Sequence, residues 1–180
     1  MQDVDEKIKE FLGNLSGLDA GARARLKRDA GKELSEAHSI GLFYRLLPYG
    51  LSSSQEDTYF LVATLYPLAD NSNAKNFGAS LKVLRQGKTR RKEPTKSMDK
   101  RFEVLLDADK GQLSYRLRQA IKFLKSGEQK IGVNWAQLLK DLLDWQRPGR
   151  YVQKQWAREY FALSVSKDEE NISSQNATEA

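Results

Sequence analysis

Lysine and arginine recur at helical spacing through this 180-residue chain, and the chemistry such rows can do is to neutralise phosphates. Arg150, Lys154 and Arg158 stand four apart, beside the apolar positions Val152, Trp156 and Tyr160. Arg118, Lys122 and Lys125 do the same beside Leu117, Ile121 and Leu124. Lys82 and Arg85 repeat the pair, Lys88, Arg90, Arg91 and Lys92 follow in a polar stretch, and Lys96, Lys100 and Arg101 continue the series. An earlier group holds Arg25, Arg28 and Lys32, with Arg23 and Lys27 alongside. Residues three or four apart share a helix face, so each group is a positive stripe. One stripe alone is ordinary solvated helix surface. Several, with few carboxylates at matching positions, describe a track that exchanges counterions for phosphates, so binding is expected to be salt-sensitive and weakly dependent on sequence.

The charge is also segregated. Residues 73–160 carry 21 Lys and Arg against 9 Asp and Glu, whereas residues 1–72 carry 8 against 11 and residues 161–180 carry 1 against 4. The net charge of +6 therefore hides a strongly basic block between mildly acidic ends, a pattern that favours a nucleic acid over a merely solvated surface. Arg101 and Arg158 adjoin aromatic core positions, and each is equally open to a structural role at helix-end carbonyls. Trp135, Trp145, Trp156, Phe102, Phe123, Tyr160 and Phe161 could stack on unpaired bases, but most fall at core spacings. Tyr115, Tyr151 and Trp145 lie off the main apolar stripes.

The remaining polar residues argue against catalysis, and no cofactor is expected. The single histidine, His38, has no second His or Cys with which to form a common zinc site. Glu33 with Glu36, and Asp141 with Asp144, are acidic pairs of a kind common on helix surfaces, and a metal nuclease needs a further ligand. Gly87-Lys88-Thr89 mimics the end of a phosphate-binding loop without its upstream glycine or preceding strand. The absence of cysteine excludes disulfide scaffolds and thiol chemistry and suits a reducing cytoplasm, the expected location. No apolar run approaches the ~20 residues of a membrane span. The acidic, amphipathic residues 1–10 are not expected to be a signal peptide.

The periodicity of the elements that must carry these residues is helical nearly throughout, and the expected fold is all-α: a bundle of about nine helices in two packed lobes. Helices are expected over 3–15, from an Asp19 cap to about 37, over 40–47 before Pro48, from a Ser53/Glu56 capping box to Pro67, and over 76–86. Further helices are expected over 97–106, 112–125 (ended by Gly127), 134–146, and from Pro148-Gly149 to about 163. The expected organisation is an N-terminal lobe (1–86), a basic loop (87–97) broken by Gly87 and Pro94, a C-terminal lobe (98–163) and a disordered tail (164–180).

One ordered set of motifs adds what periodicity does not. Phe77-Gly78-x-x-Leu81, Arg101-Phe102-x-x-Leu105-Leu106, Leu117-Arg118, Val133-Asn134-Trp135-x-x-Leu138-Leu139-x-Asp141-Leu142-x-x-Trp145 and Trp156-Ala157-Arg158-x-Tyr160 together resemble the CasB family, the small subunit of the type I-E CRISPR Cascade complex. The resemblance runs over roughly 18–162 and includes the early basic helix with Arg25 and Arg28. Lys100 stands where the family favours arginine, and Asn134 where it favours an acid; charge and capping ability are kept. The resemblance implies an all-helical, non-catalytic protein, with two copies packed head to tail in a crRNA-guided complex. It implies CasC, CasA, crRNA and both target and non-target DNA as partners, and no membrane. The implied role is to stabilise the R-loop, in which guide RNA pairs with one strand and the other is displaced; cleavage falls to a separate helicase-nuclease. R-loop formation is nearly balanced, so backbone contacts from a protein can tip it. The alternatives are a helical protein–protein adaptor that touches no strand and, far behind, a metal-dependent nuclease.

Overall fold

The structure is a computed structural model that describes residues 2–125 and 129–162. Among them are nine α-helices, with no strand beyond a single bridged pair, so the fold is all-α. The expected break at Gly127 and the expected tail, 164–180, lie outside the described residues.

Helix α1 (Gln2–Ser16) buries Ile8, Phe11 and Leu15. Helix α2 (Ala20–Arg28) begins where expected, the Asp19 carboxylate accepting the Ala22 N–H at 2.7 Å. It ends well short of residue 37. The reason is Asp29, whose buried carboxylate accepts the N–H of Ser39 at 2.8 Å, the Ser39 hydroxyl at 2.6 Å and the N–H of His38 at 3.0 Å. These bonds pull the chain out of the helix, and Gly31 turns it at φ +88°. A 3-10 turn (Leu34–Glu36) leads to α3 (Ile40–Leu46).

Helix α4 (Ser53–Leu65) buries every residue from Tyr59 to Leu65. Its capping box is one residue earlier than expected, on Ser52 and Gln55. Glu56 instead accepts the Tyr44 hydroxyl at 2.9 Å. Pro67 sits in a 3-10 turn (Tyr66–Leu68), which needs no interior N–H from it.

Helix α5 (Phe77–Arg90), capped by Asn76, runs past its expected end at residue 86. Gly87 is carried inside the helix, and the break falls at 91–95, where Lys92 takes φ +57°. Helices α6 (Lys96–Leu106) and α7 (Lys110–Leu124) follow, the second capped by Asp109. Helix α8 (Trp135–Leu143) is capped by Asn134, and α9 (Tyr151–Phe161) closes the described chain.

The packing explains several of the sequence motifs. Helix α9 lies against α5, and a Cβ on Gly78 would stand 2.2 Å from the Trp156 carbonyl oxygen, so only glycine lets these two backbones meet. The Val-Asn-Trp stretch docks on 69–74. Val133 N–H donates to the Asp70 carbonyl at 2.9 Å, Asn134 to that of Ala74 at 2.9 Å, and the Trp135 indole to that of Ala69 at 3.2 Å. Helix α8 then packs on α4 and α1, and α6 packs on α7. One apolar cluster extends from Ile8 to Tyr160.

Candidate nucleic-acid interface

The pairing of α6 with α7 makes the main surface feature. Between them runs a groove of about 980 Å³. Lys96, Lys100 and Arg101 line it from the α6 side and Arg116 and Lys122 from α7, with no Asp or Glu among the lining residues. Its floor is apolar, formed by Met98, Phe102 and Phe123. The Arg101 guanidinium lies 5.4 Å from the centre of the Phe123 ring, and that of Arg116 lies 5.6 Å from the ring of Tyr115, which is 53% exposed. Spacing explains the layout. The apolar side of α6 turns Met98, Phe102 and Leu105 inward, which leaves Lys96, Lys100 and Arg101 along the rim.

A second, smaller depression of about 420 Å³ is lined by Arg25, Arg28, Lys32, His38 and Ser39. Lys32 donates to Asp29 at 3.0 Å, while the described residues place no carboxylate against Arg25 or Arg28. Burial alone would raise the Asp29 pKa, but the Ser39 hydroxyl, Lys32 and the other donors hold it well below the carboxylate range. Arg118 stands beside this depression. Its side chain crosses the Gly31 turn so closely that a Cβ there would lie 2.9 Å from Arg118 Cδ. On α7 it is one turn from Lys122 in the first groove. The buried Nε atoms of Arg116 and Arg118 have no acceptor among the described residues.

The remaining expected cations divide into two groups. Arg85, Lys88, Arg91 and Arg150 are bound to carboxylates. Arg85 grips Asp99 through two nitrogens, at 2.8 and 3.4 Å, and lies over the rings of Tyr160 and Phe161. Asp99 also accepts the Tyr160 hydroxyl at 2.7 Å and that of Thr95 at 3.2 Å. Burial works against its charge, but Arg85 and Tyr160 hold its pKa below the ordinary value. Burial and that same bond drive the Tyr160 phenol far upward. Lys88 and Arg91 both bind Glu93, at 2.9 and 2.6 Å, and bring its pKa down to about 2, Arg91 first and Lys88 second. Arg150 binds Asp107 at 2.6 Å and the Leu106 carbonyl at 2.9 Å from a left-handed backbone, φ +51°. Lys82, Arg90, Lys92, Lys125, Lys154 and Arg158 line neither depression, and all but half-buried Lys82 are exposed.

Arg116 escaped the sequence reading. Its signal was its place on a face with Ala120 and Phe123, beside Tyr115. The aromatics resolve clearly. Trp135, Trp145, Trp156 and Tyr160 are buried, and Tyr151 hydrogen-bonds Asp144, which leaves Tyr115 as the exposed ring in the groove.

Among the described residues no three His, Asp or Glu side chains gather where a metal could sit. Asp141 is buried and occupied: it accepts the Trp156 indole N–H at 2.6 Å and the Gln137 amide at 2.7 Å. Burial still raises its pKa above the ordinary value. Its neighbour Asp144 pairs with Arg147 at 2.7 Å. No described helix is long and apolar enough to cross a membrane.

An all-α scaffold whose main basic groove is lined by no carboxylate is chemically suited to a polyanion. A family model described as CRISPR-associated protein Cse2 matches residues 22–161, and the chain belongs to that family. A CRISPR-associated protein Cse2 from Thermus thermophilus is 32% identical over 172 residues, which cover 91% of this chain and 94% of that protein. Among solved structures, a Cse2-family protein from Thermus thermophilus aligns with a TM-score of 0.71 at 32% identity, covering 88% of this chain and 98% of the other. CasB from M. ruber aligns at 0.69 and 25% identity, covering 97% and 98%. A chain of a CRISPR RNA-guided surveillance complex shares the fold at a TM-score of 0.70 and 21% identity, covering 96% and 99%.

Proposed function

We propose that this chain is a non-catalytic subunit of a crRNA-guided Cascade complex in the cytoplasm, and that it steadies the R-loop by gripping strand backbones. Membership of the Cse2 family supports the assembly, with CasA and CasC as protein partners and a second copy of the chain packed head to tail. The observation that carries the strand contact is the α6–α7 groove, with five Lys and Arg on its walls and no carboxylate. In this reading Lys96, Lys100, Arg101, Arg116 and Lys122 hold phosphates of crRNA or DNA. Arg118 extends the track towards Arg25 and Arg28. Tyr115 offers its ring to a base.

The test is binding to single- and double-stranded DNA and RNA across a salt series. Replacing Lys100, Arg101, Arg116 and Lys122 by Ala should weaken binding and lower the salt slope by about 0.7 per lost contact on a single strand. The far-ultraviolet dichroism should stay unchanged. An unchanged slope would remove the groove from the interface. A second reading, docking to a protein partner, is favoured by an apolar patch on α3 and its following loop, where Ile40 and Tyr44 are about half exposed and Tyr49 is 98% exposed. On that reading Tyr49→Ser abolishes a pull-down that survives nuclease treatment, while strand binding is untouched.

A further inference from the structure

The described chain ends one side chain away from the α6–α7 groove, although no residue of α9 lines it. Helix α9 ends at Phe161, whose ring centre is 6.0 Å from that of Phe102, and Phe102 forms part of the groove floor. Beyond this point lie 18 residues, 163–180, outside the matched family region, which ends at 161. They carry Asp168, Glu169, Glu170 and Glu179 against the single Lys167, with Leu163, Val165 and Ile172 as apolar members. The groove offers the complement: five cations, no carboxylate and an apolar floor.

We propose that this acidic C-terminal segment docks in the α6–α7 groove of its own chain and competes there with nucleic acid. The competition rests on the groove being the strand site proposed above; the docking does not. The reach is sufficient. Asp168 to Glu170 stand six to eight residues beyond Ala162, so an extended chain carries them up to about 20–29 Å. Helix α6, at 11 residues, is only about 16 Å long. The tether makes the encounter intramolecular, with an effective concentration on the order of millimolar, so a weak intrinsic affinity is enough to occupy the groove at low salt. A longer polyanion that also engages Arg118, Arg25 and Arg28 displaces the segment, because the segment has only a few charges to set against many.

The native sequence contains no cysteine, so Asn171→Cys supplies a unique thiol for a spin label on the full chain. Without nucleic acid and at low salt, the label should broaden the amide signals of Lys100, Arg101, Tyr115 and Phe123 and leave those of α1 untouched. High salt, or the triple change D168N, E169Q and E170Q, should restore them. The same triple change, without the label, should tighten binding of oligothymidylate about three- to tenfold at low salt, and the difference should vanish at high salt. Absence of broadening overturns the docking and leaves strand binding by the groove intact. Broadening that appears only between a labelled copy and an isotope-labelled, spin-free copy assigns the segment to a second molecule and overturns docking on its own chain. Broadening with equal oligonucleotide affinities overturns the competition. Broadening with no strand binding by either protein also overturns the competition, by removing the strand site while the docking stands.

Discussion

Two parts of the molecule set arginine beside aromatic rings and use it in opposite ways. Where α5, α6 and α9 meet, Arg85 is held by both oxygens of Asp99, roofed by Tyr160 and Phe161, and joined through Asp99 to Tyr160 and Thr95. In the α6–α7 groove, Arg101 and Arg116 face rings and find no carboxylate. The first arrangement spends the charge on a partly buried contact that joins three helices. The second leaves it for something outside. Composition distinguishes neither; what decides is whether the fold brings an acid to the guanidinium.

Breaking the first arrangement should have the largest effect on stability. Asp99→Ala strips Arg85 of its partner and leaves the Tyr160 hydroxyl, in a mostly buried setting, without an acceptor. The expected loss is about 2–4 kcal/mol, read by urea denaturation at neutral pH. The sign with pH follows from the direction of the shift. Because folding lowers the Asp99 pKa, its contribution is fully present above the ordinary value of 3.8 and fades as pH falls through the lower folded value. Wild type and Asp99→Asn should therefore differ most near neutrality and converge in acid. The salt slope of strand binding by the folded variant should not fall, because Arg85 is spoken for by Asp99 in the wild type. A large fall in slope would mean that Arg85 belongs to the interface after all.

The contrast also explains how far the sequence could be followed. The helices were legible because apolar periodicity and caps are local: Asp19 caps α2 as expected, and Asn76 and Asn134 cap the helices expected from 76 and 134. The errors fall where side chains bond across a turn, which helical periodicity does not register. The early end of α2 is set by Asp29 reaching Ser39, and the persistence of α5 through Gly87 brings Lys88 and Arg91 to a Glu93 beyond the turn. The family was legible from the order of its motifs. The site was legible only in part. Basic residues declare themselves, but Arg85 and Asp99 lie 14 positions apart and Arg150 and Asp107 lie 43 apart, so no stripe reveals their pairing. The same limitation hid Arg116, whose importance depends on which helix lies opposite it.

Arg150 sharpens the comparison at a smaller scale. Its pair with Asp107 is more than half exposed on both sides, so it is worth under about 1 kcal/mol. The Leu106 carbonyl and the left-handed backbone at 150 add local constraint. Arg150→Met should lower the melting temperature slightly and leave the salt slope of strand binding as it was. Arg101→Met, on the unpaired side, should do the reverse, with near-native stability and a slope reduced by about 0.7. If the two variants behave alike, pairing with a carboxylate is not what separates structural from ligand-facing cations in this fold.

The smallest effect, and the finest test, is to convert one class into the other. Glu93 binds both Lys88 and Arg91, and Lys88 lies 5.8 Å from the Phe123 ring that floors the groove. Glu93→Gln removes the carboxylate charge, leaves Lys88 a neutral amide oxygen beside the ring, and adds positive potential at the groove's end. Strand affinity should rise about two- to threefold at low salt, and the gain should disappear at high salt, as screening requires. Because the Glu93 pKa is about 2, the carboxylate is charged throughout the neutral range, so the difference between variant and wild type should be flat from mild acid to mild base. A gain that grew as pH fell would point to a different titrating group. No gain at all would mean that the pair with Glu93 leaves Lys88 as available to phosphate as an unpaired lysine, and the division between the two regions would then rest on burial and not on charge.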